Sequence, residues 1–443
     1  MGKSERSINI IHHIRWSILF KLGGIAANFK MVSLAIDYLG IQDYGIWLTI
    51  SSVLSWFMLF DIGLGNGLRN KFAKAKAIGN HNEAEVYVST AYYSIAFVGI
   101  GMALCFWLFN YFVDWSVVFN SNPNKSKQLS ILVPIVFMLV ALQLVAKLIV
   151  TIYQADQHHS IQDKVIFFGQ VLSLIFVWLL LYVGNKSLVL FGVFSTAIPL
   201  TVLVMINIIS FNGCYSRYRP KIRLYNKKYL MEITGIGVKF FIIQISAVIL
   251  FSTDNLIITQ LFGPDEVVPY NLAYKYFSIV ITGYSILVTP YWSSFTEAYA
   301  KEDFVWIMNS VKRIQKIWTI VPIIIIVMIL LSNQFYRIWV GESIRVSLLL
   351  NISMGLYVLL LTFNMIYIQF VNGIGKIRLQ LIVSIVIILL NIPLSIFLAR
   401  NMEMGSPGVI IATSICLGLP MVLWVIQYKK LINRTAKGIW NMS

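Results

Sequence analysis

The chain has 443 residues, of which 58% are hydrophobic and only 12% are charged, and its formal net charge is +17. A soluble domain usually carries about a quarter charged residues, so this chain has too little polar surface to cover a water-soluble globule. Apolar runs of about 20 residues recur along it, which is the length that crosses the hydrocarbon layer of a bilayer as a helix. The composition therefore predicts an all-α polytopic membrane protein and excludes a water-soluble globule.

Twelve predicted spans follow one another along the chain. Lipid forces each span to satisfy its own backbone hydrogen bonds, so the spans are expected to be helices. The alternation of polarity that a membrane barrel needs is absent from the sequence. The first run is too long for a signal-peptide core, so no cleavable signal peptide is expected. The spans cover residues 15–38, 44–65, 88–112, 131–153, 165–183, 188–211, 233–262, 268–290, 317–336, 348–371, 379–399 and 409–428.

The distribution of basic residues predicts the orientation of these spans. Most of the 35 lysines and arginines lie in the segments on the same side as the N-terminus. The positive-inside rule then places both termini in the cytoplasm. The basic excess marks orientation and contact with anionic membrane lipids. No nucleic-acid partner is expected, because no loop is long enough to form a folded basic domain.

A weak internal repeat divides the spans into two sets of six. The stretch "YLGIQDYG" closes the first span and "LFGPDEVV" closes the seventh, with Gly40 and Gly263 at matching positions. Six spans per half is an even number, so the halves share an orientation, related by an axis along the membrane normal. The predicted domains are an N-terminal six-helix lobe at 1–211, a cytoplasmic linker at 212–232, a C-terminal six-helix lobe at 233–428 and a cytoplasmic tail at 429–443.

A glycine-rich stretch, "FDIGLGNGLRNK", follows the second apolar run and holds Gly63, Gly65 and Gly67. A dinucleotide-binding loop needs a preceding strand and a third glycine three positions after the second, where this chain has Leu68. Glycine tolerates unusual backbone dihedrals, so the stretch predicts the turn at which the second span ends. An alternative that stays open is a hinge that moves when an inner gate opens.

The stretch "YLGIQDYGIWLTISSVLSWFMLFDIGLGNGLRNKFAKAKAIGNHNEAEVYVSTAY" resembles the opening of Wzx-type flippases. "STDNLIITQLFGPDEVVPYNLAYKYF" is similar to the seventh and eighth spans of the same proteins. They form the polysaccharide-transport branch of the multidrug/oligosaccharidyl-lipid/polysaccharide exporter superfamily. The N-terminal motif is moderately specific, and the twelve-span plan extends the resemblance over the whole chain.

This resemblance implies a MATE-like fold, in which two six-helix lobes surround a central cavity lined by spans 1, 2, 7 and 8. It implies a task as well: moving an undecaprenyl-diphosphate-linked oligosaccharide from the inner to the outer leaflet of the bacterial cytoplasmic membrane. Such repeat units become O-antigen or other surface polysaccharides. Polysaccharide polymerase and chain-length proteins are then expected partners. No cofactor is expected beyond a coupling H⁺ or Na⁺.

Lysines within the spans are the candidate substrate-binding residues. A charge inside a bilayer usually faces a partner or a wet cavity. Ammonium groups in a cavity would attract the diphosphate of the proposed cargo. Lys21, Lys30, Lys239 and Lys275 therefore form a predicted cationic path. The alternative is that a lysine near a span end reaches the head groups, and this alternative is strongest for Lys147.

Three aspartates are the candidate gating or ion-coupling residues. Asp254 lies deep in the seventh span, and the repeat maps Lys30 next to it. The two would interact across the cavity as an outer gate that a proton or ion at Asp254 loosens. A static ion pair, or hydrogen bonds from Asp254 to hydroxyls of its own lobe, is the alternative. Asp37 and Asp61 lie near span ends, where ordinary solvation also accounts for Asp37.

Other functions are weighed against the flippase. No hydrolase triad or metal-ligand spacing is visible, so neither an enzyme nor a metal site is expected. A membrane glycan polymerase or ligase would need a larger outer loop than residues 113–130. A multidrug or cation antiporter of the same superfamily would share the two-lobe plan, but its cavity would favour carboxylates over lysines. A major-facilitator transporter would carry an Asp-Arg pair between spans 2 and 3, which is missing here.

Overall fold

The computed structural model describes residues 3–57, 64–156, 158, 160–184, 186–234, 252–289 and 291–442. Every regular element within these ranges is a helix, which confirms the predicted all-α fold. The α-helices within these ranges are α1 (Lys3–Leu39), α2 (Ile41–Phe57), α3 (Leu64–Ala77), α4 (His81–Asn110), α5 (Trp115–Val118), α6 (Ser126–Ala146), α7 (Leu148–Ala155), α8 (Ser160–Val183), α9 (Leu188–Asn212), α10 (Lys227–Thr234), α11 (252–262), α12 (Val267–Val288), α13 (Tyr291–Ala300), α14 (Phe304–Trp318), α15 (Val321–Val340), α16 (Leu348–Ile374), α17 (Arg378–Ile396), α18 (Ser406–Gly418) and α19 (Met421–Ile432).

Within these ranges, nine helical stretches are long and apolar enough to cross a membrane. They coincide with nine of the twelve predicted spans, the first, the third to sixth and the ninth to twelfth. The predicted seventh span falls largely on 235–251, outside the described residues. The stretches are Leu19–Leu39, His81–Asn110, Pro123–Ala155, Ser160–Tyr182, Leu188–Asn212, Phe304–Val340, Leu348–Ile374, Arg378–Asn401 and Ser406–Ile432.

Local sequence explains where several of these helices begin and end. Asn80 caps α4, since its side-chain oxygen accepts a hydrogen bond from the backbone N–H of Glu83 at 3.2 Å. Ser347 caps α16 in the same way through the N–H of Leu350. Such caps satisfy donors that a helix start leaves without an intrahelical partner. Gly375 ends α16 with φ of 72°, a left-handed conformation that glycine adopts without steric cost.

The chain divides into two compact units, Met1–Gln244 and Ile245–Ser443. In the first unit α1 packs along α8, while α6 packs against both α4 and α9. In the second unit α16 is the central helix, in contact with α12, α13, α15, α18 and α19. The predicted lobe and linker boundaries stay predictions.

The segment at 213–234, named the strap here, belongs to the first unit and packs against its helix α4. The backbone N–H of Lys221 donates to Ser89 Oγ at 3.1 Å, and that of Asn226 donates to Thr90 Oγ1 at 3.2 Å. Ile233, near its end, is fully buried. Since both hydroxyl acceptors lie on α4, the strap is tied across that helix by backbone hydrogen bonds.

Candidate functional site

Three of the predicted site residues, Lys21, Lys30 and Asp37, lie on α1. All three are exposed. Lys30 and Asp37 are seven residues apart, so they lie on one face of the helix, two turns from each other. The Nζ atom of Lys21 lies 4.0 Å from Asp163 Oδ1 on α8. The first unit therefore presents both signs of charge along α1.

Asp163, the partner of Lys21, is a residue that the sequence reasoning missed. Two glycines explain how the helices come close enough for this pairing. A Cβ atom on Gly23 would lie 2.6 Å from the Phe167 ring, and one on Gly24 would lie 2.6 Å from Gln170 Oε1. The Gly-Gly pair at residues 23 and 24, separated from Lys21 by Leu22, is the sequence signal that could have indicated a close helix crossing.

Asp254 on α11 is buried, with 3% of its surface exposed. The hydroxyl of Tyr270 on α12 donates a hydrogen bond to its Oδ2 atom. Among the described residues, its Oδ1 atom has no hydrogen-bond partner. Burying a carboxylate oxygen without a hydrogen-bond partner is costly, so the two oxygens of Asp254 lie in unequal environments.

A second polar pair beside Asp254 joins the same two helices. The side-chain amide of Asn271 donates to Asn255 Oδ1 at 2.8 Å. Both pairs have the same sequence separation of 16 residues. The hydrogen bond from Tyr270 matches the alternative in which Asp254 bonds a hydroxyl of its own lobe, while its interaction with Lys30 stays a prediction. Tyr270 itself was not singled out from the sequence.

Two other charged candidates, Lys275 and Lys147, lie in different units of the chain. Lys275 is half-buried on α12, five residues after Tyr270 and therefore about 140° around the helix from it. Lys147 is exposed at the junction of α6 and α7. Lys239, Asp61 and Gly63 lie outside the described residues. Within the part of the chain that is described, no group of three or more His, Cys, Asp or Glu side chains could hold a metal ion.

The glycines that can be placed lie inside a helix. Gly65 and Gly67 both belong to α3, and neither is among the described glycines with positive φ. A Cβ atom on Gly67 would lie 2.2 Å from the backbone oxygen of Ile233. The role seen for Gly67 is thus close packing between α3 and α10, and the hinge stays a prediction.

An ion pair fixes α10 beside that glycine contact. Lys71 Nζ on α3 lies 2.8 Å from Glu232 Oε2 on α10. The hydroxyl of Tyr87 on α4 donates to the same oxygen at 2.7 Å. The hydrogen bonds from Lys71 and Tyr87 lower the pKa of Glu232 below its usual range. Glu232 and Tyr87, which hold α10 to α3 and α4 here, escaped the sequence reasoning.

Comparison with known proteins identifies the family. The model of a family described as "Polysaccharide biosynthesis protein" matches residues 38–347, which is more than half of the chain. The chain belongs to this family. A protein of Yersinia pseudotuberculosis named for O-antigen export is 21% identical over 370 residues, covering 81% of this chain and 82% of that protein. A Salmonella typhimurium protein named for O-antigen transport is 21% identical over 296 residues, covering 65% of each. The predicted resemblance is confirmed.

Solved structures with the same fold include MATE transporters. An inward-facing MATE family multidrug resistance transporter of the MOP superfamily superposes with a TM-score of 0.76 at 14% identity, covering 96% of this chain and all of that one. A MATE multidrug transporter in complex with R6G gives 0.71 at 15% identity, covering 98% of both chains. At such identities the likeness shows the fold alone. The MATE-like fold of a multi-pass membrane protein is confirmed.

Proposed function

We propose that this protein is a flippase that moves undecaprenyl-diphosphate-linked oligosaccharide repeat units from the inner to the outer leaflet of the bacterial cytoplasmic membrane. The family match and the relatives named for O-antigen transport carry the proposal. The product would be O-antigen or another surface polysaccharide, and both termini would be cytoplasmic. Alternating access, the exchange between inward-open and outward-open states, would move the polar head group while the lipid tail stays in the bilayer.

The diphosphate would be drawn by the cationic path of Lys21, Lys30, Lys239 and Lys275. The exposure of Lys21 and Lys30 supports this part of the proposal, because an exposed ammonium group in a low-dielectric cleft attracts an anion over a long range. The 4.0 Å pair of Lys21 with Asp163 is long and partly exposed, and such pairs contribute little. An incoming diphosphate can therefore displace Asp163 at low cost.

Asp254 would couple transport to H⁺ or Na⁺. The unpartnered Oδ1 atom supports this role, since it offers a buried acceptor that a proton or cation would satisfy. Neutralising the carboxylate would weaken the charge-assisted hydrogen bond from Tyr270. The contact between α11 and α12 would then change with the state of Asp254. Asp37 and Asp61 are further candidates for gating.

Deletion of the gene tests the flippase. Lipid-linked repeat units should accumulate on the inner leaflet and the surface polymer should disappear, because the polar head group cannot cross hydrocarbon unaided. Re-expression of the intact chain should restore both. Normal polymer in a clean deletion strain would contradict the proposal. Assays of the polymerase step in the same strain separate a transport defect from a glycan polymerase or ligase defect.

A multidrug antiporter is the second candidate, favoured by the structural likeness to a MATE transporter bound to R6G. A cavity for cationic drugs would be lined by carboxylates, whereas α1 carries two exposed lysines at 21 and 30 beside one exposed aspartate at 37. Efflux of R6G from cells that express the chain tests this candidate. Efflux above the level of cells without the chain would favour it over the flippase.

A further inference from the structure

An apolar groove of about 440 Å³ runs between α4, α6 and α9 within the first unit. Small residues make room for it, among them Ala96, Gly99 and Ala103 on α4 and Ala141 on α6. A Cβ atom on Gly99 would lie 3.4 Å from the backbone oxygen of Ala141, so α4 and α6 pack closely at the base of the groove. The volume lies within the range of about 300–1,000 Å³ that is usual for small-molecule pockets.

The rim of the groove is formed by exposed apolar side chains. Ile100, Met138 and Ile208 line it, and each has more than half of its surface exposed. They lie on stretches that are apolar and long enough to cross a membrane. In a bilayer such exposed apolar surface meets hydrocarbon, so a lipid chain can enter the groove from the side.

One end of the groove is closed by polar groups that are already satisfied. The hydroxyl of Tyr92 donates to Asn207 Oδ1 at 2.8 Å. The amide of Asn207 donates in turn to the backbone oxygens of Ala146 at 2.7 Å and Leu203 at 2.8 Å. The Tyr92 hydroxyl and the Asn207 amide group thus have their hydrogen-bond partners within the protein. The groove therefore needs no polar ligand at this end. It selects a hydrocarbon chain.

The strap, which is rich in basic residues, is attached to α4 beside that closed end. The strap is bonded to Ser89 and Thr90, which are within one helical turn of Tyr92 on α4. Its Arg219 and Arg223 side chains are exposed. Lys221, between them, is paired with Glu85 at 2.7 Å. The end of the groove therefore borders a segment with an excess of positive charge.

Apolar side chains alternate with these cations on the strap. Ile222 is 69% exposed, and Tyr225 is exposed as well. A segment with exposed apolar residues among basic ones is suited to the interfacial layer of a membrane, where anionic head groups lie.

We propose that the groove and the strap together bind an anionic phospholipid. One hydrocarbon chain lies in the groove, and the phosphate meets Arg219 and Arg223 at its end. The strap is tied to α4 by backbone hydrogen bonds, so this head group stays on one side of the membrane. That makes the ligand a resident lipid rather than a transported one. The inference does not depend on the proposed transport function.

Native mass spectrometry of the full-length protein in detergent tests the site. The protein is incubated with phosphatidylglycerol or with phosphatidylethanolamine of the same chains, and the bound lipid is counted. Wild type should retain phosphatidylglycerol in preference to phosphatidylethanolamine. The double variant R219Q/R223Q should lose that preference on the order of tenfold, because two cations near the phosphate are removed. The double variant K312Q/R313Q removes two exposed charges from α14 in the second unit and should leave the preference unchanged.

Two further variants test the groove. Ala103→Phe on α4 and Val204→Phe on α9 fill it and should reduce retention of both lipids. Leu104→Phe is the matched control, since Leu104 is the next residue on α4, is 59% exposed and does not line the groove. Wild-type retention in both filled variants, or an unchanged preference in R219Q/R223Q, would overturn the proposal. Displacement of phosphatidylglycerol by undecaprenyl phosphate at equal concentration would assign the groove to the polyprenyl lipid instead.

Discussion

The hydroxyl of Tyr270 on α12 donates a hydrogen bond to Oδ2 of Asp254 on α11, and the other oxygen of this buried carboxylate has no partner among the described residues. One oxygen of the carboxylate is thus held by Tyr270, and the other is buried without a donor from the described residues. The hydrogen bond joins α11 to α12 through this ionisable side chain.

Asp254→Asn should reduce transport at least about tenfold and remove its dependence on pH or sodium, because the amide binds neither a proton nor a cation strongly. The amount of protein in the membrane should stay close to that of wild type. Transport into inverted membrane vesicles, measured across pH and sodium concentration, checks this. Unchanged transport with unchanged ion dependence would exclude Asp254 from coupling.

Tyr270→Phe should lower thermal stability, since it leaves a buried carboxylate without its remaining donor at a cost of about 1–3 kcal/mol. The melting temperature of the purified protein is the measurement. Tyr225→Phe is the control, because that tyrosine is exposed on the strap. Equal melting temperatures for the two variants would contradict the assigned hydrogen bond.

Gly67→Ala should destabilise the first unit by about 1–3 kcal/mol, since the new Cβ would lie 2.2 Å from the backbone oxygen of Ile233. Lower protein level and melting temperature are expected. Gly101→Ala is the matched helical control, as no heavy atom lies within 4 Å of its Cβ position. Gly65→Ala tests the predicted hinge separately: reduced transport at a normal protein level would support it.

The attachment of the strap should weaken in acid. The pKa of Glu232 is lowered by its hydrogen bonds from Lys71 and Tyr87, so the folded state favours the charged carboxylate. The stabilisation is present above the unfolded pKa of about 4.3 and is lost as pH falls through the lower folded pKa. The hydrogen-exchange protection factors at 227–234, which correct for the slower intrinsic exchange in acid, should therefore fall more between pH 6 and pH 3 in wild type than in Glu232→Gln.

The control for this pH experiment is Glu342→Gln. Glu342 pairs with Arg337, but both side chains are more than 70% exposed, and such pairs are worth little. Its substitution should leave exchange in the strap unchanged. An equal fall of the protection factors in wild type and in Glu232→Gln would show that another group controls the attachment.

Lys30→Gln should reduce transport on the order of tenfold, which corresponds to about 1.4 kcal/mol, because the ammonium group proposed to meet the diphosphate is removed. Lys147→Gln is the comparison, because a lysine that only reaches the head groups should be replaceable with little effect. Accumulation of lipid-linked repeat units in complemented deletion strains measures both. Equal transport by the two variants would remove Lys30 from the cationic path.

The helices could be predicted from the sequence because hydropathy is a local property, and a run of about 20 apolar residues by itself indicates a membrane-spanning helix. Asp254 was found for the same reason, as a charge within such a run. Its partner Tyr270 was not found, because a tyrosine in an apolar helix is usually a packing or interface residue.

Side-chain pairings between helices that are distant in the chain could not be predicted from the sequence. Lys71 and Glu232 are 161 residues apart, and their contact depends on the approach of α3 to α10 at Gly67. The glycine-rich stretch predicted a turn, whereas Gly67 lies within α3 and packs against Ile233 of α10. A close helix crossing is set by tertiary structure, which one sequence without relatives does not reveal.

The packing of the strap also determines where the gene could be cut to make two co-expressed halves. A fragment that ends at residue 211 would lack Ile233 and would uncover Ser89 and Thr90, which are buried beneath the strap. A fragment that ends after Thr234 keeps these contacts. Reassembly of a working protein from two polypeptides is therefore expected only for the later cut.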